Sequence, residues 1–359
     1  MKPENISKQR LISQQINASK FHDAKQTVSW MGAIQAQDFN MAKWAVGLRL
    51  SNSTDKSIEA AFDRGEIIRI HILRPTWHFV SPDDIHWMLD LTAKQIKTSM
   101  KSRDKELELT EKIYNKSNSV IEKALRDGDH LSREELVTEL NSAKIQTYNN
   151  RTSHLMVRAE LDGIVCSGKL KNNKQTYTLL MNRVPKVRHF TRDEALAKLA
   201  ERYFTSHCPA TIQDFTWWSG LSAGDARQAL ENIKSKFISE IFGKYTYWLT
   251  NSFSVPKAWM DLITFLPAYD EFIISYKDRS ASLMNEDFIK AVSSNGIFRP
   301  VILINGMVAG LWKRTIKKEK IILETDFFKS SEKITKNSLD KAILPYSKFL
   351  NKKLDLIQH

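Results

Sequence analysis

Two glutamines, Gln35 and Gln37, form the most informative chemical pattern in this sequence. Residues two apart point in different directions on an α-helix but in the same direction on an extended segment. Asp38 is a suitable N-cap for the apolar pattern of 39–50, so a helix is expected to begin directly after it. Gln35 and Gln37 are therefore predicted to lie on a short extended link and to present two neutral amides to one place.

The chemistry open to such a pair is limited but specific. A glutamine amide does not titrate near neutral pH, so it cannot serve as a general acid or base. It can orient a water molecule and hydrogen-bond to developing charge, which suffices when the leaving group departs readily. The simpler alternative is that both glutamines only solvate a surface loop.

Signatures of other chemistries are missing from the sequence. It contains no Gly-rich phosphate loop, no His-Glu-x-x-His and no Gly-x-Ser-x-Gly. His71, His78 and His86 are near one another in sequence, but a strand–loop–helix path would separate them, so neither a metal nor a cofactor is expected. Asp270 and Glu271 are adjacent, and on a strand they would point to opposite faces, so we expect structural acids there and not an acid–base pair.

Composition favours a multidomain protein with an anionic partner. The chain has 359 residues, and Lys and Arg outnumber Asp and Glu by 54 to 41, which gives a formal charge of +13. Such a charge concentrates phosphate groups at the surface. Cys166 and Cys208 provide neither a zinc ribbon nor a disulfide framework, which fits a reducing compartment. We find no signal peptide pattern and no apolar run that could span a membrane, and expect a cytoplasmic, nucleoid-associated protein.

The segment 191–254 has the clearest supersecondary pattern. A capped helix leads to two short helices joined by the turn at Gly220, and a hairpin of two strands follows over 237–250. Two short helices joined by a Gly-containing turn are typical of a helix-turn-helix, and the added hairpin predicts a winged helix. The same order of elements recurs over 132–181 and, with helices near 7–18, 23–34 and 39–50 and strands near 67–71 and 76–80, in the N-terminal segment.

These patterns predict an α+β fold of tandem winged helices. The C-terminal segment differs, because its strand-like stretches, its Asn305-Gly306 turn and a helix over about 338–350 indicate a small β-rich domain. The Ser81-Pro82 pair is expected to begin a further helix, and capping boxes are expected at Ser132, Thr191 and Thr211, each with an acid three residues on. The predicted domains are winged helix 1 with the glutamine motif (1–81), winged helix 2 (82–190), winged helix 3 (191–254) and the β-rich domain (255–359).

Several stretches resemble the AlkZ-like winged-helix DNA glycosylases. AIQAQD at 33–38 is followed by RPTWHFV at 74–80, which is similar to that family's Gln-hydrophobic-Gln motif and its Arg-x-Thr-x-His-x-Val segment. The C-terminal part carries, in the family's order, four more motifs: LPAYDE at 266–271, DR at 278–279, NGIFRP at 295–300 and GLWKR at 310–314.

The resemblance implies a metal-free, monofunctional DNA glycosylase whose tandem winged helices form a concave, basic cleft. Enzymes of this family hydrolyse the N-glycosidic bonds of alkylated nucleotides, including some crosslinks. Gln35 and Gln37 match the two motif amides, with Ala36 between them, whereas a sister branch has Asp at the second position. Cationic N7- and N3-alkylpurines leave as neutral bases, which is the case that a glutamine pair could serve. We expect Gln37 to position the attacking water and Gln35 to assist or to contact the sugar, with exchanged roles as the alternative.

Further residues are candidates for DNA contact. Trp77 and His78 would point to opposite faces of a strand, so at most one of them would face DNA, and Trp44 lies on an apolar helix face that favours the core. The basic hairpin tip predicted for winged helix 2 is either a solvated turn or a phosphate-binding wing. Its lysines are Lys169, Lys171 and Lys174.

The expected partner is double-stranded DNA, alkylated or crosslinked, bound by a monomer. The main alternative is a non-catalytic winged-helix DNA-binding protein or transcription regulator, since winged helices mostly bind and a fold does not assign a function. Regulators usually dimerise on palindromic half-sites, so a monomer would favour repair. An interaction scaffold that binds no nucleic acid is the third possibility, and it would show no salt-sensitive affinity for DNA.

Overall fold

The structure, a computed structural model, describes residues 3–16, 19–128, 130–184, 189–250, 262–328 and 334–358. It is a mixed α+β fold, as predicted. The N-terminal region has a three-stranded sheet in the order β1-β3-β2, whose strands β2 and β3 agree with the predicted pair. Its elements are α1 (Pro3–Ser13), α2 (Ala24–Met31), β1 (Ile34–Gln35), α3 (Phe39–Gly47), α4 (Asp55–Arg64), β2 (Ile68–His71) and β3 (Trp77–Val80). The helix α4 was not predicted.

The next region combines two long helices with a second three-stranded sheet of order β4-β6-β5. The helix predicted to begin at Ser81-Pro82 begins instead at Ile85, because residues 82–84 form a turn in which the Asp84 N–H donates to the Ser81 carbonyl. Its elements are α5 (Ile85–Glu106), α6 (Glu111–Ala124), β4 (Leu131–Ser132), α7 (Arg133–Ser142), α8 (Arg151–Leu161), β5 (Val165–Ser167), β6 (Thr176–Leu179) and α9 (Leu180–Arg183).

Three capped helices and a hairpin follow. Thr191 and Thr211 form the predicted capping boxes, with Glu194 and Asp214 respectively. Gly220 ends the second helix with a φ of 69°, and a Cβ there would lie 2.4 Å from the carbonyl oxygen of Leu73, so only glycine permits this close approach. The elements are α10 (Arg192–Ser206), α11 (Ile212–Ser219), α12 (Ala223–Glu231), β7 (Ile238–Phe242) and β8 (Tyr245–Leu249).

The C-terminal region contains a five-stranded sheet of order β13-β12-β11-β10-β9. Asn305 and Gly306 both have positive φ, as expected for the predicted hairpin turn. The strand predicted around LPAYDE ends at Leu266, and Asp270 instead caps a short helix. The elements are β9 (Ile263–Leu266), α13 (Glu271–Ile274), α14 (Phe288–Ala291), β10 (Val301–Ile304), β11 (Met307–Ile316), β12 (Lys320–Phe327), α15 (Lys336–Leu350) and β13 (Lys353–Gln358).

The hydrophobic cores join segments that are far apart in sequence. One core combines residues of α2, α3 and α4 with residues of the C-terminal sheet and α15. Trp44 belongs to it, is 3 % exposed and donates its indole N–H to the Phe265 carbonyl at 3.0 Å, so it is a core residue and not part of a cleft. Another core lies wholly within 107–179. Among the described helices, none is both long and apolar enough to cross a membrane.

Candidate active site

Gln35 lies on β1, at the edge of the three-stranded sheet. It pairs with His78 of β3 in antiparallel register, so the two side chains are cross-strand neighbours. Gln35 is 4 % exposed, whereas Gln37, two residues further on, is exposed. Asp38 accepts a hydrogen bond from the Met41 N–H at 3.0 Å and begins α3, as the sequence predicted. The extended segment and the helix start therefore fix the backbone on both sides of the motif.

Two charged residues from other segments hold Gln35. Its backbone N–H donates to Oε1 of Glu271 at 2.6 Å, and its side-chain oxygen Oε1 accepts from Nη2 of Arg74 at 3.0 Å. Arg74 belongs to RPTWHFV and Glu271 to LPAYDE, yet neither was predicted as a site residue. Their places in those two motifs were the only sequence signal for them, because no spacing rule connects positions 35, 74 and 271.

Glu271 is a fully buried carboxylate with several donors. Besides the Gln35 N–H, it accepts from Nε1 of Trp218 at 3.1 Å and from the Ser275 hydroxyl. Burial raises the pKa of Glu271, but His207, His78 and Ser275 together lower it by more than burial raises it. The net pKa therefore lies below the ordinary glutamate value. Glu271 therefore stays ionised at neutral pH and ties β1 to α11 and α13.

Asp270 has the structural role that the sequence predicted for both acids. It is 2 % exposed and forms a bidentate ion pair with Arg49, with distances of 2.9 and 2.8 Å. It also caps α13 through the Phe272 N–H at 2.9 Å. The strand interpretation of this pair was wrong, because the cap places Asp270 outside the helix and Glu271 at its first position.

His78 is completely buried beside Gln35. Its Nδ1 lies 2.9 Å from the Thr76 carbonyl oxygen, which can only accept, so Nδ1 carries the proton. Its Nε2 is buried and has no hydrogen-bond partner among the described residues. Burial and the cation of Arg74 lower the pKa of His78 to about 3, so the ring is neutral at neutral pH. In this conformation His78 presents no surface to DNA.

Arg69 supports the motif from β2, the edge strand opposite to β1. Its Nε donates to the Ala36 carbonyl at 2.9 Å and its Nη2 to the Gln37 carbonyl at 3.4 Å. Its guanidinium lies 4.0 Å from the ring centre of Trp77, which is half-buried. Burial lowers the pKa of Arg69 to about 10, which leaves it charged at neutral pH. Arg69 thus fixes the backbone carbonyl groups of Ala36 and Gln37, and it was not predicted as a site residue.

The lysines of the predicted wing tip lie on the hairpin between β5 and β6. Lys169, Lys171 and Lys174 are all exposed, and the Lys171 ammonium lies 2.8 Å from Glu135. Their hydrogen bonds and ion pairs are made within this region, while a neighbouring residue, Leu170, donates its N–H to Asp63 of α4 at 2.8 Å. The hairpin is therefore joined to the N-terminal region but does not contribute a side chain to Gln35.

Among residues that the structure describes, no group of three or more His, Cys, Asp and Glu could hold a metal ion. Both cysteines are free and buried. The site offers a buried amide on Gln35 and an exposed amide on Gln37, two residues away. Buried Glu271 and half-buried Arg74 hold Gln35 in place.

A protein-family model and a solved structure both match most of this chain. The family model described as "DNA glycosylase AlkZ-like" matches residues 28–349. Among solved structures, the DNA glycosylase AlkZ of Streptomyces sahachiroi matches with a TM-score of 0.82 and 18 % sequence identity, over 99 % of each chain. At this identity the structural match shows a shared fold. No protein of curated function matches the sequence.

Proposed function

Since the chain belongs to the AlkZ-like DNA glycosylase family, we propose that it hydrolyses the N-glycosidic bond of cationic N7- or N3-alkylated purines in double-stranded DNA. Crosslinked purines of the same chemistry are included in the proposal. Gln35 and Gln37 orient the attacking water, and neither metal nor cofactor takes part. The observation that carries the proposal is the fixed Gln35 amide beside an exposed Gln37.

The ionisable groups next to Gln35 explain why the substrate should be cationic. His78 is neutral, and its low pKa gives it no proton to donate at neutral pH. Glu271 is ionised and already accepts from three groups, so it has no proton to give either. A leaving base that needs protonation would gain nothing from this site. A base that already carries a positive charge leaves as a neutral molecule and needs only a placed water.

DNA binding is assigned to three winged helices. The proposed units are 1–81, 82–190 and 191–254, each with helices followed by a small sheet, and they form a concave basic cleft with the C-terminal domain, 255–359, beside them. Lys169, Lys171 and Lys174 are proposed to contact phosphates, and half-buried Trp77 to face the DNA near the site. The protein acts as a monomer, which sedimentation would test, because three units in one chain already give an extended footprint.

The decisive experiment uses a duplex with one N7-methylguanine. The purified protein is incubated with this duplex, and abasic sites are cleaved with alkali. We expect cleavage with the wild type and a loss of at least about 100-fold in Gln37→Ala and Gln35→Ala, as for removal of a single transition-state hydrogen bond. Gln95→Ala, which removes an exposed glutamine from α5, is the matched control.

Two outcomes would count against the proposal. Full activity in both motif variants would show that the glutamines do not catalyse. Tight, salt-sensitive binding without excision of any alkylated purine would indicate a non-catalytic DNA-binding protein.

The lysine wing is tested by binding. The binding constant K should depend less steeply on salt when Lys169, Lys171 and Lys174 are replaced by alanine. The negative slope of log K against log salt should become shallower by about 0.9 for each phosphate that the protein no longer neutralises. An unchanged slope would remove these three lysines from the interface.

A further inference from the structure

The hydrogen bond between Arg74 and Gln35 decides which end of the Gln35 amide is available. An arginine guanidinium has donors only, so the group that faces Nη2 of Arg74 must be the amide oxygen. The two ends of a glutamine amide look alike, and a donor-only partner is what distinguishes them. Nε2 of Gln35 therefore points away from Arg74 and makes no hydrogen bond within the described residues.

Arg74 itself is held in place by the backbone around it. Its N–H donates to the Ile72 carbonyl and its carbonyl accepts from the Thr76 N–H, both at 2.7 Å, which forms a compact turn. Leu73 in this turn has a φ of 62°, and Gly220 of the α11–α12 turn packs on the Leu73 carbonyl. Burial lowers the pKa of the Arg74 guanidinium, and the negative charge of Glu271 opposes this shift in favour of the charged form. Arg74 is thus a preformed donor that does not depend on bound DNA.

We propose that Arg74 is a positioning residue which makes Gln35 a hydrogen-bond donor in the reaction and leaves the acceptor role to Gln37. This inference rests on the proposed glycosylase function and divides the work between the two amides. Gln35 Nε2–H donates to one lone pair of the attacking water, and the exposed Gln37 oxygen accepts one of its protons. The second lone pair of the water then faces C1′ of the deoxyribose.

The reaction balances without a protein acid or base. A bond forms between the water oxygen and C1′, and the C1′–N bond breaks with its electron pair going to the base, which becomes neutral. The surplus proton of the water passes to solvent. The two amides change neither charge nor protonation state, so their contribution is the orientation of a single water molecule.

Isosteric carboxylates separate the donor from the acceptor. Gln35→Glu removes the donor, while Gln37→Glu keeps an acceptor of the same size, and both variants add one negative charge. We expect Gln35→Glu to lower the single-turnover excision rate about 100-fold, whereas Gln37→Glu stays within about 10-fold of the wild type. Equal losses, or a larger loss in Gln37→Glu, would overturn the assignment of roles.

Variants of Arg74 test the positioning role itself. Arg74→Met should lower the excision rate about 10- to 100-fold, and Arg74→Lys, which keeps a donor, should restore part of it. Binding to a duplex with a tetrahydrofuran abasic analogue should change less than about threefold in both variants. A loss of binding or of the folded state in step with the rate would mean a structural role only.

A double-mutant cycle makes the test stricter. If Arg74 acts through Gln35, then Arg74→Met should have almost no further effect on the rate in a Gln35→Ala background. A full additional loss in that background would place the action of Arg74 elsewhere.

The interaction can also be measured without any activity. In the protein labelled with ¹⁵N-glutamine, the side-chain amide signal that disappears in Gln35→Glu belongs to Gln35. This signal should shift in Arg74→Met and return towards its wild-type position in Arg74→Lys. An unchanged signal in Arg74→Met would overturn the inference, even if the wild type excised no lesion and the proposed function itself had failed.

Discussion

Two glutamates in different regions make the same hydrogen bond with very different consequences. Glu271 at the candidate site and Glu135 in the α7 capping box each accept a backbone N–H at 2.6 Å, from Gln35 and Ser132 respectively. The bond of Glu135 spans three residues on the surface, whereas that of Glu271 spans 236 residues in the interior.

The causes of their low pKa values differ in the same way. Lys171 and the Ser132 backbone lower the pKa of Glu135 at an exposed position. Glu271 is buried, which raises its pKa, and it stays ionised only because several groups around it favour the charge. If Glu135 loses its charge, its partners can still bind water. If Glu271 loses its charge, the buried donors of Gln35, Trp218 and Ser275 lose the carboxylate that accepts their hydrogen bonds. The site is therefore the region where a conservative change should have the largest effect.

The largest expected effect comes from Glu271→Gln. This variant should lower the free energy of unfolding by about 3–5 kcal/mol, because it breaks a buried charge network without changing the shape of the side chain. Urea unfolding followed by circular dichroism would measure it. Glu135→Gln is the matched control and should leave the unfolding midpoint nearly unchanged, since glutamine also completes a capping box. Comparable losses in both variants would contradict the distinction between the two regions.

A smaller effect is expected from His78 and appears only in mild acid. Its pKa falls from 6.5 to about 3 on folding, so below pH 6.5 the unfolded chain binds a proton that the folded protein does not. Stability due to His78 is therefore lost as the pH falls, by about 2 kcal/mol between pH 7 and pH 5. His78→Asn, which keeps a donor for the Thr76 carbonyl, should reduce the pH dependence of unfolding by this amount. The same pH dependence in the variant and the wild type would show that His78 titrates normally.

The smallest effect is expected from the cap of α7. Ser132→Ala removes the hydroxyl that accepts the Glu135 N–H and should cost about 1 kcal/mol in the free energy of unfolding. The melting temperature would show it, with the exposed Ser119→Ala of α6 as the reference. A loss as large as that of Glu271→Gln would mean that the capping box carries long-range structure as well.

Local patterns were sufficient for most of the elements. The Asp38 cap, the capping boxes at Ser132 and Thr191 and the Asn305-Gly306 turn are all present as predicted. Each of them depends on hydrogen bonds or torsion angles within a few residues. The helix start predicted at Ser81-Pro82 was wrong. The residues there suit the start of a helix, but they form a turn, and the helix begins at Ile85.

The sequence by itself determined that Gln35 lies on an extended segment before a capped helix. It also contained the AlkZ-like motifs around Gln35. Only the tertiary structure decided that Gln35 is buried and Gln37 exposed, and that Arg74 and Glu271 hold the first of them. The reason is physical. A cap is formed by neighbours in the chain, whereas the partners of Gln35 are brought together by cores that join distant segments. No periodicity or spacing encodes such a meeting.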